Sequence, residues 1–393
     1  MTSSDRAHVA PGFPTVGVIG GGQLARMMQQ PAIAMGIGLR VLATSMQESA
    51  AQVVRDVRLG RHDNLEDVLA FAAGCDVITF DHEHVPVEVL HALEDAGFAV
   101  RPSSAALAHA QDKIVMREAL TEAGMPCPQW TVAASASDAV AFGDLAGWPI
   151  VAKTSRGGYD GRGVWVLKDA AEVAELFTST QLADGVRWLI EERVDFTCEL
   201  SAQVARSPHG QAVAYPVVRT VQTDGICTEV VAPAPGLTDE QAVEAQSVAL
   251  SVAGALDVVG MLAVEMFQTR DGRIVINELA MRPHNSGHWS IDGAVTSQFE
   301  NHLRAVLDLP LGDPSLTAQH AVMVNVLGGD KPDMYHPYLH TMARDPKLHV
   351  HMYGKEVRPG RKNGHVTAVG DDLDDLSVRA HHAADYFTGV IDE

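Results

Sequence analysis

The residue types best suited to hold a metal ion beside an anionic ligand are concentrated in residues 274–289. An apolar strand is predicted to end in a carboxylate and an amide, and a loop dense in hydrogen-bond donors follows at once. One such residue would fit a hydrated loop, but seven in succession favour a site: Asn277, Glu278, Arg282, His284, Asn285, Ser286 and His288.

A second acid is predicted on the preceding strand, residues 259–268. A turn at Asp271-Gly272 joins that strand to the one carrying Glu278, as in a β-hairpin. If the hairpin register is tight, Glu265 and Glu278 point to the same face. Together with Asn277 they could hold Mg²⁺ against phosphate oxygens.

A lysine on a strand, Lys153, precedes a segment with four glycines in seven residues (157–163). A segment this rich in glycine loses much backbone entropy on folding. We therefore expect the glycines to serve a function. We predict a β-hairpin flap that closes over phosphates, with Lys153 and flap amides steadying charge that Mg²⁺ partly neutralises. A strand ending in Glu191, Glu192, Arg193 and Val194 offers backbone groups to the edge of a base.

The chain lacks the other familiar phosphate-binding and hydrolytic patterns. It has no G-x-x-x-x-G-K-[ST] loop, no protein-kinase glycine-loop and catalytic-loop set, and no G-x-S-x-G elbow.

Near the N-terminus, Gly20, Gly22 and Ala25 satisfy the G-x-G-x-x-A pattern of a strand, turn and helix that can direct amides at a phosphate. The next strand ends in Ala43, Thr44 and Ser45 instead of the acid that would hold a ribose hydroxyl, which disfavours a nicotinamide cofactor. The turn therefore begins an α/β domain, or holds some other phosphate.

Residues 81–84, Asp-His-Glu-His, follow a predicted strand at the edge where α/β sheets place ligands. Three interpretations stay open for them: a metal cluster, hydrogen bonding to a substrate by Glu83, and a solvated loop.

Length and composition restrict the class of protein. A chain of 393 residues is expected to form two or three domains, and its net charge of -21 disfavours nucleic acid and anionic membranes as partners. The four cysteines have no paired spacing, and no apolar run has the length of a signal peptide or a membrane span. We expect a cytoplasmic protein.

Strands alternate with helices from about residue 15 to 102, which predicts a parallel sheet covered on both faces. Helices are expected at 47–54, 64–73, 86–96 and 103–124, and a strand at 99–101. Strand-like alternation after residue 198 predicts antiparallel pairing, and a smaller unit follows residue 315.

Four motifs together resemble a known family. The lysine strand with its glycine flap, the Glu191 segment and the Glu265/Glu278 pair are similar to the ATP-grasp superfamily. More narrowly, the chain resembles the 5-(carboxyamino)imidazole ribonucleotide synthases of purine biosynthesis. The motifs are Gly20-Gly-Gly-Gln-Leu-Ala-Arg-Met27, Gly157-Gly-Tyr-Asp-Gly-Arg-Gly163, Asn277-Glu-Leu-Ala-Met-Arg-Pro-His-Asn-Ser-Gly-His-Trp289 and Glu356-Val-Arg-Pro-Gly-Arg-Lys362.

This resemblance implies an ATP-grasp fold with a Rossmann-like N-terminal domain and a small β-rich C-terminal domain. The implied ranges are 1–14 (a loose tail), 15–112, 113–312 (with a flap subdomain at 125–195) and 313–393. It also implies an ATP-dependent ligase that uses Mg²⁺ to join bicarbonate to the exocyclic amine of 5-aminoimidazole ribonucleotide through carboxyphosphate. A homodimer is implied as well.

The resemblance further implies roles for individual residues. Glu265 and Glu278 would hold Mg²⁺. The nucleotide would be bound by Lys113, Lys153, Gly158, Tyr159, Asp160, Gly161, Arg162, Gly163, Glu191, Glu192, Arg193, Val194, Glu199, Gln222, Asn277 and Glu278. The ribonucleotide and bicarbonate would be surrounded by Tyr159, Asp160, Arg162, Arg282, His284, Asn285, Ser286, Lys355 and Arg361.

The chain departs from the family at three positions. His109 stands where relatives commonly have arginine, and Gln222 stands where many have histidine, so the nucleotide contacts there are expected to differ. Met281 stands where relatives have proline or a similar residue, and this difference is expected to have no effect on function. Two other activities are considered: a formate-using glycinamide ribonucleotide transformylase, which residues 284–288 disfavour, and an NAD-dependent oxidoreductase.

Overall fold

The computed structural model describes residues 9–158, 162–329 and 331–391. Its N-terminal sheet has four parallel strands in the order β3-β2-β1-β4. Every position of β1, β2 and β4 is buried, as expected of a parallel sheet with helices on both faces. The elements are β1 Thr15–Ile19, α1 Gln23–Met35, β2 Gly38–Ala43, β3 Asp56–Leu59, α2 Leu65–Ala72, β4 Val77–Phe80, α3 Val87–Asp95 and α4 Ser104–Gln111.

Three predicted elements of this region are wrong in detail. Residues 47–54 form turns instead of a helix, because Ala50 donates its backbone N–H to the Gly21 carbonyl across the glycine turn. Residues 99–101 make only an isolated bridge from Val100 to Ile78.

The helix predicted over 103–124 is two helices, α4 and α5 (Lys113–Glu122). Asp112 separates them, because its side chain accepts the backbone N–H groups of Ile114 and Val115 and so caps α5.

A second sheet of four strands has the order β5-β8-β6-β7. The predicted hairpin is confirmed, since β6 pairs antiparallel with β7 on either side of the glycine segment. The elements are β5 Trp130–Ala133, α6 Ala136–Ala146, β6 Ile150–Thr154, β7 Val164–Leu167, α7 Ala170–Ser179 and β8 Trp188–Glu192.

The third sheet has nine strands among the described residues, in the order β14-β13-β9-β11-β12-β15-β17-β16, with β10 paired to β9. The strands are β9 Phe196–Arg206, β10 Ala212–Ala214, β11 Val218–Thr223, β12 Ile226–Ala232, β13 Gly260–Thr269, β14 Ile274–Ala280, β15 His320–Leu327, β16 His349–Met352 and β17 Lys362–Gly370. The helices are α8 Asp239–Ala255, α9 Ser290–Gly293, α10 Gln298–Val306, α11 Pro337–Arg344 and α12 Leu373–Thr388, and a 3₁₀ turn covers Asn285–Gly287.

The C-terminal strands therefore extend this sheet, because β15 pairs with β12. A mixed α/β fold with a parallel N-terminal sheet and antiparallel sheets elsewhere is confirmed.

A shared core joins the N-terminal unit to the large sheet. Phe80 and Leu107 from the first belong to the same buried cluster as Leu200, Val264 and Ile276 from the second. Interiors packed in this way are stiff, so the edge of the parallel sheet is held in a set position beside the ends of β13 and β14. None of the helices in the described parts of the chain is both long and apolar enough to cross a membrane.

Candidate active site

A cleft of about 1470 Å³ lies where the three sheets meet. Most residues that were assigned to the site from the sequence line this cleft. Among the described ones, Gly163 and Ser286 do not. The predicted residues that line it are Lys113, Lys153, Gly158, Arg162, Glu191, Glu192, Arg193, Val194, Glu199, Gln222, Glu265, Asn277, Glu278, Arg282, His284, Asn285, Lys355 and Arg361. Tyr159, Asp160 and Gly161 lie outside the described residues.

The two acids of the β13–β14 hairpin face each other. Glu265 is the direct cross-strand partner of Glu278, so their side chains emerge on the same face, as the sequence predicted. Burial, followed by the charge of Glu278, raises the pKa of Glu265 to about 7. Lys113 Nζ lies 3.5 Å from Glu278 Oε1 and offsets only part of this negative charge.

This pair fits Mg²⁺. Within the described residues no cluster of three or more His, Cys, Asp and Glu side chains could form a complete protein cage for a metal. Mg²⁺ is instead commonly held by one or two carboxylates, with substrate phosphates and water completing its shell. Two repelling carboxylates in a cleft beside lysines supply that arrangement.

A buried ion network lies next to the pair, at the base of the flap sheet. Glu191 accepts from Arg117 Nε at 2.5 Å and from Lys153 Nζ at 2.6 Å. Burial alone would raise the pKa of Glu191, but the charges of Lys153 and Arg117 outweigh it and lower the pKa to about 2. The Glu191 carboxylate therefore positions Lys153, and Glu191 itself is paired with β5 on one side and β6 on the other within the sheet.

Arg117 was not predicted from the sequence. It is fully buried, and its Nη2 donates to the Asn277 backbone carbonyl at 2.7 Å. Lys153 Nζ reaches the side-chain oxygen of the same Asn277 at 3.1 Å. The network thus ties α5, the flap sheet and the β14 strand end together. A helix-interior arginine in the pattern Lys-Ile-Val-Met-Arg carries no local signal of this role.

The neck of the flap is closed by glycines in conformations that other residues rarely adopt. Gly158 has φ +84°, and a Cβ there would lie 2.4 Å from the Arg162 carbonyl oxygen. Gly163 has φ +75°, and its carbonyl accepts the Thr154 N–H at 3.1 Å. Gly158 and Gly163 therefore shape the flap's backbone.

The other residues predicted to bind the nucleotide differ in whether their side chains already bond to protein groups. Glu192 Oε1 already accepts the Gln129 N–H at 2.9 Å. Burial raises the pKa of Glu199 to about 6. Gln222, on β11, lines the cleft near its rim.

On the opposite side of the cleft, Arg282 is held by Glu83. Arg282 Nε donates to Glu83 Oε2 at 2.7 Å, and the arginine is three-quarters buried. Of the interpretations left open for residues 81–84, a metal cluster is not supported among the described residues. Glu83 faces the cleft and fixes the direction of Arg282.

Ser286, which the resemblance places around the ribonucleotide and bicarbonate, does not line the cleft. Ser286 is 1% exposed and lies behind His284, whose Nδ1 is 2.8 Å from Ser286 Oγ. The other ring nitrogen, Nε2, lies 3.3 Å from Glu265 Oε1 on the cleft side. Burial lowers the pKa of His284 to about 3, so the ring is neutral.

The same loop is anchored to the C-terminal segment. Asn285 and Asn325 exchange two amide hydrogen bonds of 3.0 and 2.8 Å, and Asn325 also donates to the Cys227 carbonyl. Lys355 Nζ contacts the Gln23 side chain beside the glycine turn. Arg361 Nη1 donates to the Glu356 carbonyl at 3.3 Å, which stabilises the hairpin that carries it.

An acidic side chain of the protein lies at the start of the helix that follows the N-terminal glycine turn. Asp81 Oδ1 accepts the Ala25 N–H at 2.8 Å, so a carboxylate of the protein occupies the start of α1. A Cβ on Gly22 would lie 2.0 Å from Asp81 Oδ2, which explains the glycine. The turn does begin an α/β domain, as the first interpretation held, and the phosphate role stays a prediction.

Ten basic and nine acidic side chains line the cleft, so it is close to neutral in a chain whose net charge is -21. The cations among them give anionic ligands partners that the rest of the acidic surface does not offer. The basic side chains that line it are Lys113, Lys153, Arg156, Arg162, Arg193, Arg282, Lys355, Arg358, Arg361 and Lys362.

Three protein-family models match successive parts of the chain. Residues 13–111 match the ribonucleotide synthetase preATP-grasp domain, residues 118–299 the ATP-grasp domain, and residues 321–379 the phosphoribosylaminoimidazole carboxylase C-terminal domain.

The chain is 53% identical over 391 residues to N5-carboxyaminoimidazole ribonucleotide synthase of Mycobacterium tuberculosis H37Rv, covering 98% of this chain and 91% of the relative. It is 46% identical to the Corynebacterium ammoniagenes enzyme of the same name, covering 98% and 94%.

Among solved structures, the Aspergillus clavatus synthase in complex with ADP and 5-aminoimidazole ribonucleotide superposes with a TM-score of 0.86 at 30% identity, covering 95% of this chain and 98% of that one. The Thermotoga maritima synthetase superposes with a TM-score of 0.84 at 35% identity, covering 95% and 98%. The chain therefore belongs to the N5-carboxyaminoimidazole ribonucleotide synthase family and is an ATP-dependent carbon–nitrogen ligase built on the ATP-grasp fold.

Proposed function

We propose that this protein joins bicarbonate to the exocyclic amine of 5-aminoimidazole ribonucleotide, with hydrolysis of ATP to ADP and phosphate, in purine biosynthesis. One observation carries the proposal. The opposed Glu265 and Glu278 share a single cleft with Lys113 and Lys153 on one side and Arg282 with His284 on the other.

The nucleotide half of the cleft neutralises phosphate charge. Lys153 is held rigidly by Glu191 and Asn277, and Lys113 lies between the flap neck and Glu278. Glu265 and Glu278 would hold Mg²⁺, which supplies charge neutralisation at the phosphate oxygens when bound. Val194 and the backbone around Glu191 are proposed to contact the adenine, and Glu199 the ribose.

The chemistry proposed for the cleft has three steps: a displacement at phosphorus, a loss of phosphate, and an addition of the amine to CO₂. A bicarbonate oxygen attacks the γ-phosphorus and ADP leaves, which gives carboxyphosphate. Loss of phosphate releases CO₂ beside the amine, whose nitrogen attacks the carbon and gives up a proton. CO₂ is dilute and bicarbonate unreactive, so the protein contributes activation and confinement of the carbon.

The ribonucleotide half supplies cations that suit a phosphate dianion. Arg282, Lys355 and Arg361 line it, and guanidinium groups bind phosphate with directional hydrogen bonds. Tyr159 and Asp160, with Arg162, are proposed to approach the same ligand from the flap. Asn285 is proposed to contact it from the loop after β14.

Several further proposals accompany the reaction. We propose the domain boundaries predicted from the sequence, a homodimer, and a cytoplasmic location. The matched family ranges of 13–111, 118–299 and 321–379 lie within the three predicted domains apart from small overhangs, which supports the boundaries.

The decisive experiment measures phosphate release from MgATP and bicarbonate with and without 5-aminoimidazole ribonucleotide. We expect release to depend strongly on that ribonucleotide and on bicarbonate. Release that instead required glycinamide ribonucleotide and formate would replace the proposal with the transformylase activity. Phosphate release that depended on neither ribonucleotide would contradict both the proposed synthase activity and the transformylase activity.

A further inference from the structure

A buried chain of hydrogen bonds runs behind His284, on the side away from the cleft. Gln203 Nε2 lies 2.8 Å from Ser201 Oγ and 2.9 Å from Ser286 Oγ. The two hydroxyl oxygens are 2.8 Å apart, and Ser286 Oγ is 2.8 Å from His284 Nδ1. Gln203, Ser201 and Ser286 are each no more than 1% exposed, so water does not compete for these bonds.

The direction of each bond follows from the protons available. The Gln203 amide nitrogen has two protons and donates one to each serine. Each serine has one proton, so Ser201 donates to Ser286, and Ser286 donates to His284 Nδ1. The Ser286 backbone N–H also points at Nδ1, at 3.4 Å, and a backbone N–H can only donate.

The opposite orientation of the Gln203 amide satisfies fewer groups. As described, only its buried Oε1 has no partner. Turning the amide over would bury two donor protons without acceptors. It would also leave at most three protons for the four contacts among Gln203, Ser201, Ser286 and His284, even with a proton on Nδ1. Buried donors without partners are costly, so the orientation with Nε2 towards the serines is favoured.

We propose that Gln203 and Ser201, acting through Ser286, are positioning residues that hold His284 in the tautomer with its proton on Nε2. That nitrogen is the one directed at Glu265 and the cleft. In the cleft, the Nε2 proton would meet an anionic oxygen of the bicarbonate-derived or phosphoryl group beside Glu265. This last point rests on the proposed function.

A neutral imidazole with its proton on Nε2 is a hydrogen-bond donor towards the cleft. It can stabilise negative charge that develops on an oxygen, and it has no lone pair at that atom with which to take a proton from the amine. The buried chain therefore assigns His284 to charge stabilisation and excludes it as the base for the amine in this tautomer.

The test is the ¹⁵N chemical shift pattern of protein labelled at histidine nitrogen, recorded in the absence of substrates. The His284 signals are identified by their loss in His284→Gln. We expect a neutral ring protonated on Nε2. A ring protonated on Nδ1, or on both nitrogens, would overturn the assignment.

Two variants test the chain itself. Gln203→Glu replaces donor protons with acceptor oxygens, so Ser286 should turn its proton towards position 203 and accept from Nδ1, which shifts the ring towards the Nδ1 tautomer. Ser286→Ala removes the hydroxyl link and leaves only the long backbone N–H contact on Nδ1, so the preference for the Nε2 tautomer should weaken. If both variants keep the wild-type pattern, the positioning role is wrong.

Ser207→Ala is the matched control, since Ser207 is also a buried serine and directly follows β9. We expect it to leave the tautomer unchanged. Ser286→Ala should lower kcat roughly tenfold with little change in the KM for ATP, as removal of an orienting partner does elsewhere. Because the tautomer is measured without turnover, failure of this inference is distinguishable from failure of the proposed reaction.

Discussion

Two glutamates on strands that border the cleft, Glu191 and Glu265, are placed in opposite electrostatic settings. Glu191 lies between Arg117 and Lys153, and its pKa falls to about 2. Glu265 is partly buried opposite Glu278, and its pKa rises to about 7. The protein neutralises the carboxylate of Glu191 with two cations, whereas it leaves the negative charge at Glu265 and Glu278 unbalanced.

This difference separates structure from ligand binding. Both oxygens of Glu191 are paired without a ligand, so the network can hold the flap sheet, α5 and β14 in register before ATP arrives. The pair Glu265 and Glu278 carries repulsion that a bound cation would relieve. Variants in the first region should therefore change stability, and variants in the second should change turnover.

The largest expected effect is on the second region. Glu278→Gln removes one carboxylate of the pair, and we expect ATP turnover to fall by a factor on the order of 10³. Thermal unfolding should be almost unchanged, because the Glu278 side chain is 46% exposed. Phosphate release and a melting curve measure the two effects.

Glu244→Gln on the exposed face of α8 is the control for general loss of a negative charge. Normal turnover in Glu278→Gln would refute the metal assignment.

The first region is tested by Arg117→Met. Removing one partner from a buried ion pair leaves charge uncompensated and is expected to lower the free energy of unfolding by about 3–5 kcal/mol. Urea titration measures this. Arg304→Met, which breaks a partly exposed helix pair with Glu300, should lower it by less than about 1 kcal/mol. Equal effects of the two variants would show that the Arg117 network has no special structural role.

A smaller effect is expected at the ribonucleotide side. Arg282→Ala removes a charged donor held by Glu83, and we expect the KM for 5-aminoimidazole ribonucleotide to rise about tenfold to a hundredfold. The KM for ATP should change little. Arg270→Ala, which removes an exposed partner of Asp195, is the control. Parallel increases in both KM values would place Arg282 outside the ribonucleotide site.

The smallest expected effect is on the pH dependence of stability. The folded-state pKa of Glu191 lies below its ordinary value, so its contribution is complete above about pH 4.5 and is lost as the pH falls towards 2. Between about pH 5 and about pH 3 this amounts to about 2 kcal/mol. Denaturant unfolding of wild type and Glu191→Gln measures the slopes, and the variant should be less sensitive to acid. Identical slopes would contradict the assigned pKa.

Much of the architecture could be predicted because local patterns carry it. Buried apolar runs predicted the parallel strands, and the turn at Asp271-Gly272 predicted the β13–β14 hairpin with Glu265 opposite Glu278. The glycine segment predicted the flap hairpin. In each case the signal lies within about a dozen residues, since hydrophobic period and turn chemistry are local properties.

The errors occurred where distant contacts decided the outcome. Residues 47–54 are held as turns by the glycine turn and by the segment at Tyr353 and Gly354, which lies some 300 positions away in the chain. Ser286 was assigned to the ligand by the family resemblance, and in the structure its side chain turns inward to Ser201 and Gln203.

The sequence alone determined which groups this protein has for its chemistry: a lysine before a glycine flap, two acids on adjacent strands, and a basic loop after the second. These follow from residue type and spacing. Only the tertiary structure decided which of those groups are available to a ligand. Asp81 occupies the start of α1, Glu191 is committed to Arg117 and Lys153, and Ser286 supports His284. The physical reason is that hydrogen bonds and ion pairs between distant segments consume donors and acceptors, and a linear sequence does not show which pairs will meet.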